Sequence, residues 1–456
     1  MEKSKFKKYQ NKVNSIKEKI EDILIKLNTH LNSIEFKNKY CEKINNFIRK
    51  RKLTFILTIL FIMNFRNKST QAELNQFFNI LNISAMLPPT KGAFFKARLN
   101  IKPEAFLDLL ETSANSFYRT ELAEKWYGFY LVSADGSTFT IPLTGNKKKD
   151  QELIQQFGVA TNQLPDTKVI QAKGFILYDV LNEIIISGIL TGNLVSERLI
   201  LVKLLDKLNS NDFLILDRGF PAIWLFWLLH LKGIQCVIRI PSNFLTETDN
   251  FFASDEEDKI IELKITKEIV SQHPELNLPT GELKIRLVKV FLPNGEIEVL
   301  ATLLINKVKY PWNFFRDLYF KRWGIEVSFN SLKNKLQLEW FSGKSVRIIL
   351  QDFYAKLFDR NLFTLISIGA AEKLKENTRN RKYEYGINEN IGYSILKNKW
   401  VKLFLDIIEK IKVFLETLIE KLLKNIEPIR PGRSYYRIKK MMSKSTIISF
   451  ANRIAI

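Results

Sequence analysis

The chain has 456 residues, enough for two to four domains and a sizeable buried core. Hydrophobic residues make up 46% and aromatics 12%, which excludes a disordered chain, and a net charge of +22 points to a polyanionic partner, nucleic acid first and an anionic membrane second. Two cysteines, Cys41 and Cys236, and three scattered histidines argue against a disulfide framework or a Cys/His zinc site.

Residues 1–120 read as helical, with apolar positions recurring among Lys, Asn and Glu. The first residues are charged and lack the apolar core of a signal peptide, so a cytoplasmic protein is expected. Residues 53–65 form the one sustained apolar run, too short to cross a bilayer comfortably, and read as a buried helix. Pro88-Pro89 breaks the region, and Asn100 ahead of Pro103-Glu104 has the placement of a helix cap.

The pattern then changes to strands. Residues 126–134 form an apolar run ending at Asp135-Gly136-Ser137, and 168–180 and 183–190 follow with a turn at Asn182. A helix is expected over 196–208 and a short buried strand over 213–216, stopping at Asp217-Arg218-Gly219. A Trp-rich helix over 221–231 and a strand over 235–240 complete the series. This order predicts a mixed α/β sheet with helices on both faces.

From 241 to 308 polar and apolar residues alternate, with strands over 260–265, 283–292 and 296–305 and a hairpin turn at Pro293-Asn294-Gly295; this reads as a β-rich insertion. A single long helix is expected over 311–337, then helices over 345–425, then a basic tail with a loop at Arg430-Pro431-Gly432-Arg433. The expected division is a helical DNA-binding region at 1–120, an α/β domain at 121–345 and a helical region at 346–456.

Tyr319, Arg322, Glu326 and Lys333 carry the strongest functional signal. At helical spacing, offsets of three, four and seven residues put all four on one face. One acid among a phenol and two cations suits a metal-bound phosphate, the carboxylate ligating the cation while Arg, Lys and Tyr contact phosphate oxygens. A solvated face with i,i+4 ion pairs would account for Arg322 and Glu326 alone.

Asp135 and Asp217 each stand directly after an apolar strand, where ligands bind in open α/β sheets. With Glu326 they supply three carboxylates for one or two hard cations, Mg2+ or Mn2+, suited to phosphodiester chemistry. Asp179, Glu183 and Glu197, at turn or helix-start positions, are second choices expected to lie farther out.

These residues resemble the DDE transposases of the insertion-sequence-four group, whose catalytic domain is ribonuclease H-like. The matching segments are Ala134-Asp135-Gly136-Ser137-Thr138, Leu214-Ile215-Leu216-Asp217-Arg218-Gly219-Phe220 and Arg322-Trp323-Gly324-Ile325-Glu326 within the Tyr319/Arg322/Glu326/Lys333 set. Phe94-Phe95-Lys96-Ala97-Arg98 is similar to the segment preceding that domain, and a β-strand insertion between the second and third acids is characteristic of the group. The resemblance covers roughly residues 90–375.

It implies Asp135, Asp217 and Glu326 as catalytic metal ligands and Tyr319, Arg322 and Lys333 as DNA phosphate contacts. It also implies a homodimer acting on double-stranded DNA, both element ends and target, in a bacterial, nucleoid-associated setting. The reaction implied is cleavage by metal-activated hydrolysis, then joining of the 3′ end to target. The group can stack an insertion Trp on a flipped base during hairpin formation. No Trp stands between Trp227 and Trp312, which leaves Phe244, Phe251, Phe252 or Phe291 for that role or puts the hairpin route in question. A nuclease without strand transfer and a non-catalytic DNA-binding derivative remain alternatives, with a membrane-surface protein the weakest.

Overall fold

The computed structural model describes residues 2–49, 51–64, 69–81, 87–160, 169–292, 295–397, 399, 401–405 and 408–430. Phe65, Lys168, the turn residues Pro293 and Asn294, and the tail from Pro431 onward lie outside the described residues. The chain divides into two units, one of Ala123–Thr138 and Lys173–Phe329, the other of Met1–Leu122, Phe139–Ala172 and Asn330–Ile456.

The first of these is built around an eight-stranded sheet. Its strands are β1 (Tyr130–Ile141), β2 (Ile170–Asp179), β3 (Ile184–Gly192), β4 (Asp212–Leu216), β5 (Gln235–Ile240), β6 (Asp258–Ile265), β7 (Gly281–Phe291) and β8 (Ile297–Thr302). They lie in the order β3-β2-β1-β4-β5-β8-β7-β6, the mixed α/β architecture expected from the sequence. β1, β4 and β5 run parallel. All five residues of β4 are buried, as a strand covered on both faces requires.

The inserted strands β6, β7 and β8 pair antiparallel with one another, and β8 pairs antiparallel with β5. The insertion therefore extends the main sheet instead of forming a separate one. β6 alternates buried Ile261, Leu263 and Ile265 with exposed Glu262 and Lys264, the signature of a strand with one wet face. Arg286 on β7 is fully buried and makes a fork to Asp258, at 2.8 Å and 2.6 Å, while its Nη1 donates to the carbonyl of Tyr310 at 2.7 Å.

The long helix expected over 311–337 is two helices, Phe314–Phe320 and Trp323–Asn334. At the break the backbone tightens to three-residue bonds: Arg322 N–H donates to the Tyr319 carbonyl, Gly324 to Lys321 and Ile325 to Arg322. Gly324, a poor helix former, falls at the break, and a Cβ there would make only ordinary contacts with Val180 and Tyr178.

The other unit is mainly helical. Helix Val346–Thr378 is buried nearly all round, packing against helices Glu2–Asn32, Glu104–Tyr118 and Ile408–Leu423. Glu104–Tyr118 buries Phe106, Leu109, Leu110, Ser113 and Phe117, one face at helical spacing. Its N-cap is Pro103; Asn100, expected to cap it, bonds back to the Lys96 carbonyl. Buried Arg98 donates to Gln351 and Asp352, each at 2.9 Å, and to Ser342. Helix Phe55–Asn64 buries eight of its ten residues, as expected of the apolar run. Among the described residues no helix is long and apolar enough to cross a membrane. A short pair, β9 (Glu384–Ile387) and β10 (Ile426–Ile429), interrupts the expected all-helical C-terminal region.

Candidate active site

Asp217 follows β4 directly, as expected, and its Oδ1 accepts from the Gly219 N–H at 2.8 Å, closing a tight turn. Asp135 differs from expectation. β1 runs on through it to Ile141, so its carboxylate projects from mid-strand rather than from a strand end. The sequence hides this because Gly136-Ser137-Thr138 has turn composition, while the strand, inside the sheet between β2 and β4, stays extended through it.

Burial pushes the Asp135 carboxyl up to about 6; the Gly136 N–H, donating at 2.8 Å, pulls the other way. The charges of Glu197 and then Asp217 raise it further, and Arg322 opposes them. Asp135, Asp217, Glu197 and Arg322 thus share one electrostatic neighbourhood. Glu326 lies on helix Trp323–Asn334, and its Oε1 accepts from Arg322 Nη2 at 2.8 Å.

Among the described residues no three His, Cys, Asp or Glu side chains are gathered as a ready metal cage. The carboxylates nonetheless suit a hard divalent cation, because Mg2+ keeps several waters and needs only one or two protein carboxylates. Crowded like charges around Asp135 are what such a cation would neutralise. Two orphaned polar atoms accompany them: the Tyr319 hydroxyl and Arg322 Nε are buried without a hydrogen-bond partner among the described residues. Buried donors left open in this way fit an oxygen-rich anion.

Tyr319 packs in the core beneath β1, β4 and β7, with Phe213, Leu131, Val288 and Phe315. Burial raises its hydroxyl to about 12. Arg322 is buried and its cationic form is favoured by Tyr319 and Glu326 against the effect of burial. Lys333 belongs to the helical unit, where its ammonium stands 4.6 Å over the Phe139 ring and 3.8 Å from Glu339. Burial lowers its pKa, opposed by Glu339.

Of the second-choice acids, Asp179 takes bonds from Leu181 and Asn182 in the turn after β2, and Glu183 occupies that turn at positive φ. Glu197 begins a helix beside β1. Its Oε1 sits so near Gly136 that a Cβ there would come within 2.7 Å. The sequence could place Glu197 at a helix start but not show that the helix begins beside β1. Lys173, on β2, pairs with Glu197 at 3.3 Å and carried no sequence signal. Among the insertion aromatics, Phe251 is buried beneath Lys289, whereas Phe291 is 43% exposed.

Residues 126–362, a stretch that contains all three acids and the Tyr-Arg-Glu-Lys set, match the transposase DDE domain. The chain belongs to the DDE transposase family. It is similar to the transposase InsG for insertion sequence element IS4 of Escherichia coli (strain K12), with 22% identity over 336 residues, 72% of this chain and 73% of that protein. This DDE transposase is thus a DNA transposase, related in sequence to the insertion-sequence-four group. A cryo-EM structure of the piggyBac transposase synaptic complex with hairpin DNA aligns over 90% of this chain and 87% of that one, at 12% identity. Its TM-score is 0.41.

Proposed function

We propose that this transposase binds the inverted ends of its own mobile element, cleaves the terminal phosphodiester by metal-dependent hydrolysis and joins the freed 3′ end to target DNA. Asp135, Asp217 and Glu326 would hold Mg2+ or Mn2+. When bound, the cation supplies Lewis-acid charge to the phosphoryl oxygens and makes water more acidic. Arg322 and Tyr319, each with an unpaired buried polar atom, orient the phosphate. Lys333 adds a further phosphate contact along the DNA. The basic helical N-terminal region reads the ends, and a homodimer lets two such sites act on two ends.

The observation that supports this reading is the match of residues 126–362, which hold all three acids, to the transposase DDE domain, with Arg322 bonded to Glu326. The test is incubation with DNA bearing the element's flanking repeats and Mg2+, followed by strand-resolved product sizing. Cleavage at the repeat boundary and joined products are expected. Asp217→Asn and Glu326→Gln should abolish both while leaving end binding nearly unchanged, since the amide keeps shape but loses charge. Cleavage without joining would instead identify a nuclease.

A further inference from the structure

Gly219 stands two residues after Asp217, and both of its backbone polar groups are held. Its N–H donates to Asp217 Oδ1 at 2.8 Å, and its carbonyl accepts from Arg198 Nε at 2.9 Å. The turn leaving β4 is otherwise closed by Phe220, whose N–H returns to the Asp217 carbonyl at 3.3 Å and whose buried ring meets that of Phe175 on β2, centroids 6.3 Å apart. Arg198 comes from a different element, the first turn of helix Glu197–Leu204, which is seated through buried Ile200, Leu201 and Leu204.

A Cβ at 219 would stand 3.0 Å from Asp217 Oδ1, tight enough that the carboxylate would have to give way. Glycine avoids that crowding, yet it is the residue least able to hold one backbone conformation by itself. The directions of its N–H and its carbonyl follow from its two soft dihedrals, so a bond at each end restrains both. We propose that Arg198 is a positioning residue for Asp217: it restrains the Gly219 backbone, keeps the Gly219 N–H on Oδ1 and so holds the carboxylate in one orientation. This rests on the reading of Asp217 as a catalytic acid. A purely stabilising role accounts poorly for the bond, because Gly219 is exposed and water would take over its carbonyl if the arginine were removed. What is lost with Arg198 is the restraint on the turn, which matters only to a carboxylate whose aim matters.

The test is single-turnover cleavage by the full chain of DNA bearing the element's flanking repeats, bound before Mg2+ is added, with melting temperature and the salt dependence of end binding measured on the same proteins. Arg198→Gln should slow cleavage about ten- to a hundred-fold, the scale of a reacting group displaced by up to an ångström, with melting temperature, end affinity and salt slope unchanged. Arg198→Lys should recover part of the rate, since an ammonium can donate the one bond that the Gly219 carbonyl accepts. Gly219→Ala should slow cleavage by pressing on Oδ1 directly, and gives the same test if Arg198→Gln folds poorly. Wild-type cleavage in Arg198→Gln, with cleavage lost in Asp217→Asn, would overturn the positioning role alone. A fall in melting temperature matching the fall in rate would make Arg198 structural and overturn it too. A reduced salt slope would mean that Arg198 touches a phosphate instead of serving Asp217. Undiminished cleavage in Asp217→Asn would overturn the reading on which the role rests.

Discussion

Arg322 donates to Glu326 at 2.8 Å, and the two ends of this bond sit in different surroundings: the guanidinium side chain is 10% exposed, the carboxylate 42%. The buried cation cannot leave without a partner, but the carboxylate can turn to solvent or to an ion at little cost. As the proposed phosphate contact, Arg322 would hold Glu326 until a phosphate offered the guanidinium a better fork. DNA binding and cation binding should then support each other.

Arg322→Gln tests this coupling. With its competitor gone, Glu326 should bind Mn2+ no more weakly in the free protein, while end cleavage should fall by about two to three orders of magnitude, as when a group stabilising transition-state charge is removed. The added Mn2+ affinity that end DNA confers on the wild-type protein should disappear. Weaker Mn2+ binding in the free variant would show that Arg322 organises the site and does not compete for it.

Tyr319 offers a second separation of stability from function. Its hydroxyl is buried without a partner among the described residues, a burden on folding of about 1–3 kcal/mol. Tyr319→Phe should keep or raise the melting temperature and still slow end cleavage. A variant equally stable and fully active would mean that the hydroxyl meets no ligand.

The mixed α/β sheet and the strands along the chain were legible because the strands are short apolar runs punctuated by Gly, Asn and Asp, as with 235–240, which the structure reproduces as Gln235–Ile240. The break at Arg322 was not legible. Local periodicity continues across it, and the single glycine at 324 is too weak a signal to mark it. The same limit hid Glu197. Its place beside Gly136 depends on how the helix after β3 returns to β1, a long-range relation that spacing does not encode. Arg286 carried no sequence signal of its own, and it is fully buried because Asp258 and backbone carbonyls satisfy it.

Lys333 stands seven residues after Glu326, about two helical turns along. Its ammonium is held over Phe139 and near Glu339, and burial lowers its pKa, so its charge is poorly solvated in the free protein. A phosphate would solvate it better. Lys333→Ala should weaken binding to cleaved ends and reduce the salt slope by about one phosphate's worth, leaving Mn2+ affinity unchanged. Glu339→Gln should act in the opposite sense by freeing the ammonium for DNA. Unaltered end binding and salt slope in Lys333→Ala would mark it as a residue of the helical unit's packing only.

The Asp258–Arg286 pair sets how the sheet extension withstands acid. Burial pushes the Asp258 carboxyl up, but bonds from Arg286 and Lys307 outweigh it and hold the group below the usual carboxylate range. A carboxylate with a depressed folded pKa adds stability that is complete above the unfolded value of about 3.9 and is lost as pH falls toward and through the folded one. Arg286 is fully buried, so protonating Asp258 leaves the guanidinium with the carbonyls of Leu304 and Tyr310 and the Phe315 ring. Asp258→Asn should cost about 3–5 kcal/mol, the range for breaking a buried pair from one side. Chemical denaturation at neutral pH should show that loss, and the gap between wild type and variant should narrow below about pH 4 as the wild type protonates. Because Arg286 also holds the Tyr310 carbonyl just ahead of helix Phe314–Phe320, the variant should lose end cleavage at temperatures where the rest of the chain remains folded. A constant gap from pH 7 to pH 3 would show that Asp258 is not the group titrating.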